Sequence, residues 1–280
     1  MNNSEEYTKF KSKLASQLIT DVGVPTSVSV VDDDEYMNFC IDEIETPQTC
    51  ITKLYGYYAS KGKNDDAWDA MYSKALDELT IYPVMEDLSG ALKDIGYTKD
   101  DLLPMVFPKV VNSHYNADLI DGIVHRNILD VAFCYTAALV KRPDGFPVIS
   151  AYLNKDCLSA FDIFEEDLYE AALINLNTIG FISSKTNSGA MFLTTEMPSF
   201  PASTLTYIKG GLDNALQQMS VDKAYVLQLS DKISMLIPTK GADSTDLKKS
   251  LRVKHGKVWK GDIVSDEVYL YEKGCLKIVR

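Results

Sequence analysis

Residues that build ordinary metal and catalytic sites are scarce in this sequence. It contains only three histidines, and His114, His125 and His255 form no HxxxH, HxH or Cys/His cluster. No nucleophile elbow, phosphate-binding loop or dinucleotide fingerprint occurs, and the pair Gly210-Gly211 is too short to cradle a phosphate. We therefore expect no metal site and no cofactor, and the sequence argues against the common hydrolase and nucleotide-binding classes.

The five cysteines do not form a redox or metal motif. Their number is odd, their spacings are long and no CxxC pair occurs. Cys134 lies inside an apolar run and is expected to be a small buried side chain. Cys40 and Cys50 flank a predicted hairpin and could meet as a disulfide, although the sequence favours a reduced pair. This usage is typical of a reducing compartment.

Long hydrophobic runs are also missing. No apolar stretch approaches the roughly 20 residues that a membrane-spanning helix requires. The N-terminal residues 1–14 are polar and mixed in charge, unlike a signal or transit peptide. We therefore expect a cytoplasmic protein that has no membrane partner.

The negative charge is concentrated in the first third of the chain. Residues 1–104 contain 20 Asp and Glu against 9 Lys and Arg, a net charge of −11, whereas residues 105–280 have a net charge of −1. Such a field repels phosphate, so a nucleic-acid partner is not expected and a protein partner is favoured. The sequence favours no particular oligomeric state.

The N-terminal third alternates helical stripes with one hairpin. Apolar residues at helical spacing predict a helix from about residue 4 to 22, with Phe10, Leu14 and Leu18 on one face. Alternation predicts a hairpin over 27–44, turning at the acidic run Asp32–Glu35, which we interpret as a solvated loop. Two further helices follow, with an aromatic stripe that we assign to the core rather than to base stacking.

The stretch from Gly122 to Leu176 has the longest apolar run and the clearest turn. The run 128–140, the turn Pro143-Asp144-Gly145 and the segment 146–153 favour two strands joined by a hairpin. A buried helix over 127–139, in which Arg126 and Asp130 would pair, is the alternative. Glu165–Asn177 is predicted to be a helix with acidic residues in its first turn.

Short turns recur through the C-terminal half. Because these connections are too short for parallel crossovers, we expect an α+β fold with largely antiparallel sheets and packed helices. The segment 105–113 should be an edge or bulged strand because Pro108 cannot donate a ladder hydrogen bond. The predicted domains are an acidic, mainly helical region with a β-hairpin over 1–104 and an antiparallel α+β domain over 105–280.

The central stretch resembles a family of uncharacterised bacterial proteins, known mainly from gut anaerobes, that carries a domain of unknown function. The resemblance is best over about 105–180 and looser over 220–275, and Asp162 replaces a glycine of the family pattern. It implies a shared fold and transfers no catalytic residue. The matching positions are Asn112, Asn116, Leu119, His125, Arg126, Leu129, Asp130, Phe161, Glu165, Glu166, Leu168 and Tyr169.

The best polar constellation is formed by His125, Arg126 and Asp130. It combines a titratable base, a forked donor and a carboxylate at the mouth of the apolar run. The alternative interpretation, which we favour, is that Arg126 or Asp130 ties the start of the strand to a helix. A dyad of His125 with Cys134 is not expected, since nine residues of a single strand would place them ~30 Å apart on opposite faces.

Residues 248–260 form the only concentrated basic segment. Lys248, Lys249, Arg252 and Lys254 are candidate anion contacts there. Solvation, or docking onto the acidic N-terminal third, is the favoured alternative because little aromatic interleaving accompanies the basic residues.

Three functions remain open from the sequence. The preferred one is a non-catalytic interaction or regulatory protein. The second is an enzyme with an unrecognised site near His125, Arg126 and Asp130. The third is an acidic mimic of nucleic acid that binds a basic partner.

Overall fold

The computed structural model describes residues 5–40, 46–82, 88–94, 96–141, 147–195, 202–256, 260 and 263–279. The chain divides into two compact units. Unit 1 comprises Met1–Pro83 and Ala138–Ala151, and unit 2 comprises Val84–Ala137 and Tyr152–Arg280. The two units are defined by the contacts between their residues. The boundary expected at residue 104 concerns independent folding of two domains, and it stays a prediction.

Ten α-helices lie in the described ranges, with 3-10 helices at Leu103–Met105 and Ala202–Tyr207. The α-helices are α1 (Glu5–Val22), α2 (Ile51–Ser60), α3 (Asp65–Thr80), α4 (Leu88–Asp94), α5 (Lys99–Leu102), α6 (Ala117–Gly122), α7 (Asp156–Phe161), α8 (Glu165–Leu176), α9 (Asp213–Met219) and α10 (Ser244–His255).

Fourteen strands accompany these helices in the same ranges. They are β1 (Thr26–Val31), β2 (Asp34–Phe39), β3 (Gln48–Cys50), β4 (Ile81–Tyr82), β5 (Val106–Asn112), β6 (His125–Ile128), β7 (Val131–Lys141), β8 (Pro147–Tyr152), β9 (Phe181–Lys185), β10 (Met191–Thr195), β11 (Lys223–Gln228), β12 (Ser234–Pro238), β13 (Tyr269–Glu272) and β14 (Cys275–Ile278).

Unit 1 packs three helices with a small antiparallel sheet of order β1-β2-β3. The apolar stripe of α1 is buried as its spacing predicts, and Leu14 and Leu18 are completely inaccessible. β2 contributes Met37 and Phe39 to this core. Asn64 is the N-cap residue of α3, and its side chain accepts a hydrogen bond from the N–H of Ala67 at 2.9 Å.

Unit 2 contains a six-stranded antiparallel sheet of order β14-β13-β11-β12-β10-β9. A second set of strands pairs β7 with β5 on one side and with β6 on the other, all antiparallel. Helix α8 packs on β5 through its buried stripe of Leu168, Ala172 and Leu176. The α+β fold with largely antiparallel sheets is therefore confirmed; the short pair β4–β8 in unit 1 is parallel.

The alternative of a helix over 127–139 is wrong, because this segment contains the end of β6 and most of β7. The two strands are joined by a tight turn at Leu129 and Asp130, so the single strand expected over 128–140 begins only at Val131. β7 and β8 are neighbouring strands as predicted, while the turn Pro143-Asp144-Gly145 lies outside the described residues.

One local prediction can be compared directly with the backbone. β5 is the terminal strand in the order β4-β8-β7-β5, which confirms the edge position expected from Pro108. Asp162 ends α7 with φ of 50°, a left-handed conformation that glycine adopts more easily. None of the helices in the described ranges combines the length and apolar character needed to cross a membrane.

Candidate functional site

The turn between β6 and β7 determines where the predicted site residues lie. The strands pair from His125↔Cys134 to Ile128↔Val131, which leaves Leu129 and Asp130 as a two-residue turn. Leu129 has φ of 57° and is 48% exposed. A leucine rarely adopts this left-handed backbone, so the contacts of the neighbouring residue hold the turn in place.

Asp130 accepts two hydroxyl hydrogen bonds that come from far along the chain. Ser265 donates to Oδ2 at 2.6 Å and Tyr269 donates to Oδ1 at 2.5 Å. The hydroxyls of Tyr207 and Tyr269 are 2.9 Å apart. Burial raises the pKa of both tyrosines well above their usual value, so both remain neutral. We call Asp130, Tyr207, Ser265 and Tyr269 the Asp130 network.

A histidine–carboxylate pair lies on the neighbouring segment. His255 is 5% exposed; its Nδ1 is 2.7 Å from Asp266 and its Nε2 is 3.0 Å from the backbone oxygen of Gln228. Tyr115 donates to the same carboxylate at 2.7 Å. Burial acts to raise the pKa of Asp266, but the hydrogen bonds from His255 and Tyr115 outweigh it and the pKa is lowered.

Several polar side-chain atoms of unit 2 are buried without a protein partner in the described ranges. They are Ser203 Oγ, Thr204 Oγ1 and Gln228 Nε2. Gln228 is anchored through its other end, because Oε1 accepts a hydrogen bond from Ser234 at 2.8 Å. Each unpartnered atom lowers the free energy of unfolding by roughly 1–3 kcal/mol, so these buried polar side chains destabilise unit 2.

Arg126 is held by the acidic first turn of α8. Its Nε and Nη2 donate to Glu165 at 3.1 and 2.6 Å, and Nη2 also donates to Glu166 at 2.5 Å. The guanidinium carbon lies 4.0 Å from the centre of the Tyr169 ring. Tyr135 donates to Glu165 as well. The hydrogen bond with Glu165 raises the pKa of Arg126 further, so the charge is permanent.

His125 does not join Arg126 or Asp130. Its Nδ1 lies 3.2 Å from the backbone oxygen of Ile123, which fixes the ring from its own segment. The hairpin places His125 directly opposite Cys134, so the expected separation of ~30 Å on opposite faces is wrong: the chain reverses at Leu129. Cys134 is nevertheless inaccessible, and burial raises its pKa to about 12, which keeps the thiol protonated.

The three predicted residues thus point to three different partners. In the described part of the chain, no hydrogen bond or ion pair joins any two of His125, Arg126 and Asp130. Their assignment as a site stays a prediction. The tertiary partners Ser265 and Tyr269 were missed because they lie 135 and 139 residues away from Asp130 and form no local motif with it.

The predicted basic segment separates into paired and exposed residues. Lys248 forms an ion pair with Glu267, and Lys249 lies 3.3 Å from Asp246 within the same helix. Arg252 and Lys254 are exposed near the C-terminal end of α10, where positive charge is favourable. No group of three or more His, Cys, Asp or Glu side chains in the described ranges is arranged to hold a metal ion.

Unit 1 presents a different kind of surface, the outer edge of β1. Five of the six β1 residues are exposed, and Val28, Val30 and Val31 are 44%, 51% and 52% accessible. β1 pairs with β2 on one side, and no described strand pairs with its other side. The alternating residues 27–31 predict the strand but not its position at an edge of the sheet.

The hydrogen-bond register shows which backbone groups of β1 face outward. The N–H of Cys40 donates to the oxygen of Pro25 at 2.8 Å, and Thr26 is paired with Phe39. Since bonded and non-bonded pairs alternate in an antiparallel ladder, Thr26, Val28 and Val30 direct their N–H and C=O groups away from β2. We call this row the β1 edge.

Comparison with known proteins adds no relative: no family model, curated protein or solved structure matches the chain.

Proposed function

We propose that this chain is a non-catalytic interaction protein that binds an extended, basic segment of a protein partner along the β1 edge. The observation that carries the proposal is the row of outward backbone groups at Thr26, Val28 and Val30. An extended peptide added to such an edge obtains main-chain hydrogen bonds from it, and alternate side chains provide the specificity.

The composition of β1 supports this role. Proteins protect free edges with lysine, proline, bulges or very short strands. β1 has six residues, TSVSVV, which include no charge and no proline, and its register with β2 is uninterrupted. The opposite edge of the same sheet, β3, is only three residues long and leads directly into α2. The β1 edge is therefore suited to pairing.

Charge supports a basic partner rather than a second copy of the chain. Asp32 and Asp33 are exposed at the end of β1, and residues 1–104 have a net charge of −11. A second copy would bring the same charge to the interface, whereas lysine or arginine beside Asp32 and Asp33 would be attracted. The partner strand should therefore alternate β-branched residues and carry basic residues near its end.

The contacts of the polar candidates also favour a non-catalytic role. Arg126 pairs with Glu165 and Glu166, and Asp130 accepts hydrogen bonds from Ser265 and Tyr269, so each has a structural explanation. We include in the proposal a cytoplasmic location and membership of the bacterial family that residues 105–180 resemble.

The test is selection of binders from a library of random ten-residue peptides. We expect selected peptides to alternate β-branched residues and to be enriched in Lys or Arg. Val28→Pro removes one outward N–H and should abolish binding, whereas Val28→Thr keeps that N–H and the β-branched shape and should bind normally. Circular dichroism checks that both variants keep their secondary structure.

A double variant provides a second test if the proline variant misfolds. Asp32→Asn together with Asp33→Asn removes the charge but suits the positive φ at both positions. It should weaken binding of basic peptides several-fold and leave neutral peptides unaffected. Selection of peptides without basic enrichment, or equal binding to Val28→Pro and Val28→Thr, would contradict the proposal.

A further inference from the structure

A cleft lined by aromatic side chains lies among the helices of unit 1. It has a volume of about 230 Å³ and is formed by α1, by α2 and by the start of α3. Its lining residues are Glu6, Lys9, Phe10, Lys13, Tyr55, Tyr58, Lys63 and Trp68.

The aromatic side chains that line the cleft pack against one another. Phe10 and Trp68 are each 5% exposed, and their ring centres lie 5.7 Å apart at 77°. Tyr58 stacks on Phe10 at 5.6 Å and meets Trp68 edge to face. The indole nitrogen of Trp68 donates to Gln17 at 2.9 Å, which fixes the ring. Such pre-arranged aromatic faces suit a flat ligand.

The rim of the cleft is positive, in contrast to the rest of this acidic third. It carries three ammonium groups and one carboxylate, Glu6. Lys63 is paired with Glu6 at 2.6 Å, and Lys9 is paired with Glu5 at 2.6 Å. The ammonium of Lys13 lies 3.7 Å from the centre of the Trp68 ring and contacts no carboxylate among the described residues. The Lys13 ammonium therefore lies over the Trp68 ring and can bind an anion.

The backbone is strained at Lys63, a residue of this rim. Gly62 and Lys63 follow α2 with φ of 86° and 54°, and the oxygen of Lys63 accepts a hydrogen bond from Tyr58 at 3.1 Å. A lysine in the left-handed region is unfavourable, and such strain is concentrated at ligand-binding positions. This hydrogen bond thus connects Tyr58, in the aromatic lining, to the strained backbone of Lys63 at the rim.

We propose that this cleft binds a small planar aromatic acid, with the ring against Tyr55 and Tyr58, the half-buried members of the aromatic lining, and the carboxylate at Lys13. The volume corresponds to roughly eight water molecules, enough for one or two fused rings with a short acidic arm. An acid suits the site better than a base because the exposed ammonium of Lys13 attracts a carboxylate and repels a second cation. This site shares no residue with the β1 edge, so either proposal can fail without the other.

Trp68 allows the proposal to be tested directly. The chain has two tryptophans, so Trp259→Phe leaves Trp68 as the only one and makes its fluorescence a reporter of the cleft. Titration with phenylacetate should give a saturable change. Phenylacetamide, the uncharged isostere, should bind about fivefold more weakly: its carbonyl oxygen can still accept a hydrogen bond from Lys13, but the ion pair with the exposed ammonium is lost. Cyclohexylacetate, which is not planar, should also bind more weakly.

Matched lysine variants locate the anion. Lys13→Gln should weaken phenylacetate binding about fivefold and leave phenylacetamide unchanged, whereas Lys53→Gln, on α2 outside the cleft, should change neither. Calorimetry on the otherwise unmodified protein provides the same comparison if Trp259→Phe fails to fold. Absence of saturable phenylacetate binding, equal affinity for acid and amide, or an unaffected Lys13→Gln variant would overturn the proposal.

Discussion

Two hairpins in this molecule each turn through two residues, but they differ in backbone conformation and in what surrounds the turn. β1 and β2 turn through Asp32 and Asp33, with φ of 47° and 67°, and both residues are exposed. β6 and β7 turn through Leu129 and Asp130, and the carboxylate of Asp130 is enclosed by Ser265 and Tyr269. The first hairpin leaves an open edge, and the second anchors a network.

The difference teaches that the contacts of a turn, rather than its sequence, decide its role. An aspartate ends both turns, but only Asp130 receives hydroxyl groups from residues more than 130 positions away. The favourable contacts of Asp130 offset the strain at Leu129, whereas the turn at Asp32 and Asp33 uses residues that tolerate positive φ by themselves.

Thiol labelling should show the largest contrast between the hairpins. Cys40 is exposed just after β2, whereas Cys134 in β7 is inaccessible and burial raises its pKa to about 12. Modification of Cys134 requires opening of the core, at a cost of at least about 4 kcal/mol, and each 1.4 kcal/mol is a factor of ten. Mass spectrometry should find Cys40 modified at least about a thousandfold faster, and rates within tenfold would mean that β7 is not closed.

Matched substitutions of the two aspartates should separate a structural carboxylate from a solvated one. In Asp130→Asn, one of the two hydroxyl donors faces an amide NH2 group, and we expect the free energy of unfolding to fall by about 2–3 kcal/mol. In Asp33→Asn it should change by less than about 0.5 kcal/mol. Urea denaturation measures both, and equal effects would show that the Asp130 network does not stabilise the fold.

The backbone strain at Leu129 should give the smallest effect. Asn tolerates φ of 57° better than leucine, so Leu129→Asn should raise the free energy of unfolding by about 0.5 kcal/mol, despite the loss of a half-exposed apolar side chain. Val253→Asn is the control, because Val253 is 72% exposed on a regular helix and gains nothing from asparagine there. A lowered stability in Leu129→Asn would show that the turn is not strained.

The elements with strong local signals were predictable from the sequence. The stripe of α1 and the acidic first turn of α8 both appear where the sequence places them. In both cases the helical period or the charge of the first turn, which depends only on neighbouring residues, determines the structure. The edge position of β5 followed in the same way from Pro108.

The β6–β7 turn and the partners of the polar residues were not predictable in this way. Leu129 at positive φ opposes local propensity, so the turn has no sequence signature. The acids Glu165 and Glu166 looked like ordinary helix-start residues, yet they bind Arg126 from 39 and 40 residues away. Tertiary contacts outweigh local preferences at these positions, and a single sequence does not reveal such pairs.

The discontinuity of unit 1 has a consequence for its synthesis. β4 pairs in parallel with β8, and Ser150, the partner of Ile81, is about 70 residues further along the chain. On the ribosome, at 5–20 residues per second, β4 therefore waits roughly 3–14 s for its neighbouring strand while much of the start of unit 2 emerges. A fragment ending at residue 83 lacks that strand altogether, so any expression plasmid for unit 1 should join residues 1–83 to 138–151.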